Sequence, residues 1–208
     1  MPTATFFRLP EEKRKRLIDA CWGELTRVRF TDVSINQIIT AARIPRGSFY
    51  QYFEDKEDLV WYLLEDLRTY FVDLLRNILV EAEGDLFVLP LLAYDRFISQ
   101  RGHTDPKLTL FIQLLRLNQG IDLQSFMAGP SNFLPDELWE AVDPGKLRQS
   151  SREYADQVFH LGCAVLGFAI VETLHDPARS ARIREMTKVR IDLLRYGGAA
   201  EGYKEVTV

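Results

Sequence analysis

The sequence predicts an all-α protein with a small N-terminal helical domain and a larger helical remainder. Apolar residues recur every three or four positions through most of the 208 residues, which is the spacing of amphipathic helices. We find no alternating run of apolar and polar residues of the kind that forms a half-buried strand. Clusters of glycine and proline interrupt the helical pattern, and a hydrophobic content of 47% is sufficient for a buried core.

The first helix is predicted to run from Pro10 to about Arg29. Proline suits the first position of a helix, and the acidic residues Glu11 and Glu12 suit the positive end of the helix dipole. Apolar side chains then recur at helical spacing, at Leu17, Cys21, Leu25 and Val28. The pattern predicts one buried face.

A second, short helix is predicted in SINQIITAARI, residues 34–44. Ser34 can cap this helix, and Gln37 can complete a capping box by bonding back to the backbone N–H of Ser34. Pro45 disfavours helical geometry at Ile44 and can itself open a new helix. The chain is therefore predicted to turn immediately before Pro45.

A third helix is predicted from about Arg46 to Phe53, and its faces differ in character. At about 100° per residue, Phe49 and Phe53 fall together and form the natural core face. Small or hydrogen-bonding residues form the opposite face, and phenol or guanidinium groups line its edges. The face comprises Gly47, Ser48 and Gln51, and the edges comprise Arg46, Tyr50 and Tyr52. Such a helix fits a DNA major groove, so the three helices predict a helix-turn-helix unit. Alternatively, the tyrosine rings simply cover the side of a small bundle.

The rest of the chain is also predicted to be helical. Asp55 caps a long fourth helix, which has acidic residues in its first turn and apolar residues at helical spacing to about residue 79. Breaks are predicted at Gly84 and near residues 102–106, 129–135, 143–145 and 175–177. Residues 119–149 are rich in Gly, Pro, Ser and Asn, and only one short helix is predicted there, near 135–142.

Residues 34–64, SINQIITAARIPRGSFYQYFEDKEDLVWYLL, resemble the DNA-binding region of the TetR/AcrR family of bacterial transcriptional regulators. The block RGSFYQYF followed by KEDL carries most of the likeness, which extends back to about Leu9. The resemblance implies a helix-turn-helix domain at residues 1–54 and a helical ligand-binding and dimerisation domain at 55–208. It also implies a homodimer that binds a palindromic operator, usually as a repressor, and that a small molecule releases.

Six positions take DNA-contacting roles by this resemblance. Ser34 lies at the end of the second helix that touches phosphate, and Asn36 lies one turn in, where a base edge is within reach. Gly47 and Ser48 match the groove-facing start of the recognition helix. Tyr50 matches a phosphate-binding tyrosine, and Lys56 matches a phosphate-binding lysine at the start of the fourth helix.

Four further positions match places where the family varies or where this chain departs from it. Arg46 and Gln51 match variable positions, so they would carry operator identity. Tyr52 stands where the family most often has histidine. Arg43 stands where the turn usually has glycine, and a left-handed conformation there costs an arginine roughly 1 kcal/mol. Either the turn is built differently or Arg43 recovers that cost through a phosphate, so we add Arg43 as a further DNA-contacting candidate.

Charge is distributed unevenly along the chain. The formal net charge is −4, yet residues 1–53 contain nine Lys and Arg against five Asp and Glu, which gives +4 there. The average therefore argues against a protein that coats nucleic acid or membrane, whereas the basic surplus coincides with the predicted DNA-binding domain. Cys21 and Cys163 fall in no metal or redox spacing and are predicted to be buried thiols. Without the apolar core of a signal peptide, the chain is predicted to be cytoplasmic.

Dimerisation is predicted through two helices near residues 152–175 and 179–196. The first is apolar nearly all round after Val158 and carries small residues that allow close helix approach. With the same helices of a second subunit, the pair would form a four-helix bundle, although both helices could instead be internal core. An apolar pocket for a small apolar or amphipathic effector would suit the many aromatic residues after Asp55, but no ligand contact is assigned.

The sequence carries weaker signals for two other classes of protein. Glu172 and His175 have the i, i+3 spacing used by di-iron helical bundles, but no second such pair exists, and no catalytic, cofactor-binding or metal-binding motif is present. The sequence therefore predicts neither an enzyme nor a cofactor. A helical interaction module that has lost DNA binding is the second alternative, and the basic, polar character of the predicted helix-turn-helix argues against it.

Overall fold

The computed structural model describes residues 1–98, 105–118 and 133–197 of the chain. These residues are helical, as predicted, and they contain no β-strand. The α-helices are α1 (Ala4–Phe7), α2 (Glu11–Leu25), α3 (Ile35–Ala42), α4 (Arg46–Tyr52), α5 (Lys56–Glu81), α6 (Leu89–Phe97), α7 (Pro106–Leu117), α8 (Asp136–Trp139), α9 (Arg152–His175) and α10 (Ser180–Tyr196). Short 3-10 turns lie at Phe30–Asp32, Pro144–Lys146 and Pro177–Arg179.

The chain divides into two compact units. The first contains Met1–Phe71 and the described part of Pro106–Phe126, and the second contains the described parts of Val72–Asp105 and Met127–Val208. The first unit extends past residue 54 because apolar residues early in α5, such as Leu59 and Leu63, belong to the same buried cluster as α2, α3 and α4. The functional boundary between residues 54 and 55 stays a prediction.

The core of the first unit contains a helix that the sequence analysis did not predict. Helix α1 has only four residues, and its Phe6 is completely buried. The Phe6 ring lies 5.0 Å from the ring of Phe53 and 5.2 Å from that of Tyr62, centroid to centroid. A helix this short has no measurable periodicity, so one buried aromatic side chain, rather than a pattern, holds the segment on the bundle.

The predicted capping box at the start of α3 is wrong. Ser34 occupies the N-cap position, but its side chain accepts no capping hydrogen bond from any described residue. The backbone N–H that Gln37 was predicted to bind instead donates to Oε1 of Glu24, at 3.1 Å. Glu24 is buried, and its other carboxylate oxygen binds Arg27, so the buried charge is compensated from both sides. The first helix also ends at Leu25, earlier than predicted.

In the second unit, α9 packs against α6 and α10. Its small residues allow the close approach that the sequence predicted: a Cβ atom at Gly162 would lie 3.0 Å from Cγ of Pro90 in α6. By length and composition α9 could cross a membrane, but the core helix of a water-soluble protein meets the same criteria. The predicted short helix is confirmed as α8, whereas residues 119–132 lie outside the described part of the chain.

The two cysteines differ in environment. Cys21 is completely buried in α2, and this burial raises the pKa of its thiol. Cys163 in α9 is half-buried as a residue, but burial of its thiol also raises the pKa, to about 12.

Candidate nucleic-acid interface

Helix α4 has the two faces that the sequence predicts. Phe49 and Phe53 are completely buried, and their rings lie 5.7 Å apart in the core of the first unit. On the other side, Gly47 and Gln51 are exposed and Ser48 is half-buried. The buried rings fix the helix, so its outward face is a polar surface held on a rigid support.

Tyr50 and Tyr52, predicted to lie at opposite edges of this face, have different environments. Tyr50 is 48% exposed, with its ring packed edge-on against Phe49. Tyr52 is only 3% exposed, so its predicted place among the surface side chains is wrong. The cause is the segment around α1: the Phe6 ring lies 6.4 Å from that of Tyr52, and the backbone N–H of Thr3 donates to the Tyr52 carbonyl at 2.9 Å. The N-terminal segment covers this edge of α4.

Helix α3 contributes a second set of side chains near the surface. Ser34 is half-buried at its start, whereas Asn36 and Gln37 are exposed in its first turn. Sequence analysis missed Gln37 as a surface candidate because it assigned that side chain to the capping box. The signal that would have found it is the buried Glu24, whose carboxylate takes the Ser34 N–H, but this contact spans ten residues and leaves no local pattern.

Two predicted residues are brought together across the turn. Nη1 of Arg46, the first residue of α4, donates a hydrogen bond to Oδ1 of Asn36 in α3. Both side chains are exposed. This bond fixes the relative positions of two side chains that the sequence could place only on separate helices.

The turn between α3 and α4 is built around Arg43, which has a left-handed conformation with φ 53° and ψ 49°. Two backbone hydrogen bonds close the end of α3: the Arg43 N–H donates to the Thr40 carbonyl at 3.2 Å, and the Ile44 N–H donates to the Ile39 carbonyl at 3.0 Å. This is the pattern in which glycine is usual. Of the two alternatives for this turn, the structure therefore shows the standard turn with an exposed arginine at the glycine position.

Two further basic residues donate hydrogen bonds to backbone carbonyls within the first unit. Arg16 of α2 donates from Nε to the carbonyl of Ala42 at 2.8 Å, next to the left-handed Arg43. Lys56, at the start of α5, donates from Nζ to the carbonyl of Thr31 at 3.0 Å. Both side chains retain N–H groups beyond the one used here. Sequence analysis named Lys56 but missed Arg16, whose only signal was a run of basic residues.

The candidate interface is thus positively charged and rich in hydrogen-bond donors. Arg43, Arg46 and Lys56 contribute three positive charges, and none of the predicted contact residues is acidic. A DNA-binding surface needs cationic side chains around a polar helix face, because the cations bind phosphates while the helix face contacts base edges. The positions of Ser34, Gly47, Ser48 and Gln51 at or near the surface are compatible with such contacts.

Comparison with known proteins supports the same assignment. Residues 17–63 match the model of the family described as bacterial regulatory proteins, tetR family. A stretch of 59 residues is 44% identical to the transcriptional regulator AcuR of Cereibacter sphaeroides. The similarity to the tetR family thus lies in the N-terminal part of the chain. The match to AcuR covers 28% of this chain and 27% of the length of AcuR.

Solved structures are similar over most of the chain. The transcriptional regulator FadR from Bacillus subtilis, crystallised with stearoyl-CoA, has a TM-score of 0.52 and 14% identity and covers 89% of this chain and 99% of its own. A TetR family regulator from Chloroflexus aurantiacus has a TM-score of 0.44 and 25% identity, covering 95% and 98% of the two chains. The FadR similarity shows that this protein shares the fold of FadR.

The pair Glu172 and His175 lies at the end of α9. Glu172 accepts a hydrogen bond from Nη1 of Arg190 at 3.1 Å, so its carboxylate is engaged in an ion pair. Across the described ranges, no three His, Cys, Asp or Glu side chains are grouped so that they could hold a metal ion. The ion pair gives Glu172 a structural role in joining α9 to α10.

Proposed function

We propose that this protein is a ligand-responsive regulator of transcription that binds a palindromic operator as a homodimer. The observation that carries the proposal is α4: two buried phenylalanines anchor a short helix whose outer face is polar and is flanked by Arg43, Arg46 and Lys56. The match of residues 17–63 to the tetR family supports it. Repression is the favoured direction of regulation, because it is the usual mode in the family that the sequence resembles.

We propose contact roles that follow the family resemblance and that the positions of the side chains support. Tyr50, Lys56 and Arg43 flank the polar face and would bind phosphates, as would Ser34 at the start of α3. Asn36, Arg46 and Gln51 would reach base edges, and Gly47 and Ser48 would allow close approach of the α4 backbone to the groove. Tyr52 would support α4 from within the unit.

Dimerisation is proposed through the exposed apolar sides of α9 and α10. On α9 the exposed apolar side chains are Leu161, Phe168 and Val171, and on α10 they are Met186, Val189, Leu193 and Tyr196. In each helix they recur at spacings of three, four or seven residues, so they form one stripe, while Ile183 and Ile191 face inward. Exposing two apolar stripes of this size to water is unfavourable, and a second copy of the chain would cover both of them.

We place the effector site in the helical part of the chain after residue 55 and the protein in the cytoplasm. The effector is proposed to be a small apolar or amphipathic molecule that lowers operator affinity. Stearoyl-CoA, which is bound to FadR in the Bacillus subtilis structure, is a reasonable first compound to test. No catalytic activity or cofactor is proposed.

The test is binding of the purified protein to DNA upstream of its own gene, titrated at two salt concentrations against an unrelated duplex. Tight binding that prefers one sequence would support the regulator and provide an operator for effector screening. Equally weak binding to both duplexes, abolished by modest salt, would indicate backbone electrostatics alone. A selection from random duplexes that also yields no preferred sequence would favour the alternative, a helical interaction module without specific DNA binding.

A further inference from the structure

The hydrogen bond between Asn36 and Arg46 determines what the two side chains can offer to a base. An asparagine side chain has one acceptor oxygen and an NH₂ group with two donors, whereas arginine has five N–H donors and no acceptor. In this structure Oδ1 of Asn36 already accepts from Nη1 of Arg46. One lone pair of Oδ1 remains, but it lies beside the guanidinium, so the groups left for other partners are mainly the donors of the Asn36 amide and of Arg46.

This arrangement disfavours adenine, the base that an asparagine usually reads. The usual contact needs Oδ1 to accept from the amino group of adenine while the amide nitrogen donates to N7. Here an amino group that approached Oδ1 would meet the N–H groups of the Arg46 guanidinium. The amino group of cytosine would meet the same repulsion. Guanine presents two acceptors, N7 and O6, at its major-groove edge and no donor there.

The remaining contacts of the two side chains leave them available for DNA. Both are exposed, and the other hydrogen bond at Asn36, from the Thr40 hydroxyl at 2.8 Å, goes to its main-chain carbonyl. Among the described residues, Arg46 forms no ion pair with an acidic side chain, so its charge is not neutralised within the unit. Arg46 is also the first residue of α4, the end of a recognition helix that contacts base edges.

We propose that Asn36 and Arg46 act as one specificity-determining unit that reads a single guanine in each half-site of the operator. The inference rests on the proposed function, and it adds the identity of the base and the coupling of the two residues. Arg46 would donate to guanine N7, while its bond to Asn36 holds the guanidinium in place. The Asn36 amide would add a donor to the same acceptor-rich edge.

The experiment begins with selection of duplexes from a random-sequence library by the full-length protein. Enrichment of no sequence would refute sequence-specific binding and this inference with it. With the enriched duplex in hand, each guanine is replaced in turn by 7-deazaguanine, which lacks the N7 acceptor, and affinities are measured for the wild type, N36A and R46A. Circular dichroism verifies that each variant is folded.

We expect one guanine per half-site at which the replacement weakens wild-type binding by roughly 10- to 150-fold, the size of a hydrogen bond to a charged group. The same replacement should have little effect on R46A and a reduced effect on N36A. N36D is the sharper variant, because its carboxylate keeps the bond to Arg46 but lacks the donor NH₂ group, so it should lose the preference for guanine. Gln51→Ala is the matched control and should keep full sensitivity at that guanine.

Three results would overturn the inference while leaving specific DNA binding intact. One is an enriched duplex in which no guanine is sensitive to the replacement. Another is a sensitivity that survives in R46A. The third is a map in which N36A and R46A change preference at different base pairs, because the two residues would then act independently.

Discussion

Replacing Phe6 by alanine should destabilise the first unit far more than the same change at its neighbour Phe7. Phe6 is completely buried and its ring packs against those of Phe53 and Tyr62, whereas Phe7 is 52% exposed. Truncating a buried phenylalanine costs about 3–5 kcal/mol, from lost transfer free energy and from the cavity that remains. At Phe7 about half of the side chain is already in water, so a loss below about 1.5 kcal/mol is expected.

The two variants form a matched pair, since they remove the same atoms from adjacent residues of α1. Urea unfolding followed by circular dichroism measures the free energy, and hydrogen exchange of peptides from residues 46–63 reports on the first unit specifically. A loss of 3 kcal/mol corresponds to a midpoint lower by about 1 M urea or more. Operator affinity should fall in parallel for Phe6→Ala, because the N-terminal segment covers one edge of α4 at Tyr52. Equal effects of both changes would refute the assignment of α1 to the core.

The other predictions concern the turn, the dimer and a close backbone contact. Arg43→Gly should raise the free energy of unfolding by up to about 1 kcal/mol, because glycine adopts the left-handed conformation without strain. Operator binding should weaken, and the slope of log affinity against log salt concentration should fall by about one. A less stable variant would contradict the role of this turn. Phe168→Glu should yield monomers in light scattering, because Phe168 is 68% exposed and covering that area is worth about 1–2 kcal/mol per subunit. Val80→Glu, at an exposed residue off the stripe, should remain dimeric. An unchanged Phe168→Glu dimer would refute the interface. Gly84→Ala should lower the free energy of unfolding by about 2–5 kcal/mol, measured by thermal unfolding. Gly84 has φ +75°, and a Cβ atom there would clash with the backbone nitrogen of Asp143. Gly23→Ala is the control and should be stabilising, because nothing lies within 4 Å of a Cβ atom at that position.

Much of the candidate interface could be predicted because its signals are local. The spacing of Phe49 and Phe53 predicted the buried face of α4, and Pro45 predicted the turn that precedes it. The turn conformation at Arg43 was one of two predicted alternatives. The surface prediction for Tyr52 failed because helical spacing gives the side of the helix on which a residue lies, but not which other segment packs against that side.

The sequence by itself determined the helical fold class, the order of the small helices and the polar face of α4, because these depend on periodicity, proline and residue type within a few positions. Only the tertiary structure decided which groups meet across longer separations. In the folded chain the Ser34 N–H donates to Glu24 and not to Gln37. Tyr52 lies buried beneath the N-terminal segment, and Asn36 accepts a hydrogen bond from Arg46. Each of these depends on the packing of one helix against another, and a side chain's hydrogen-bond partner is settled by which group arrives within about 3 Å once the helices have packed.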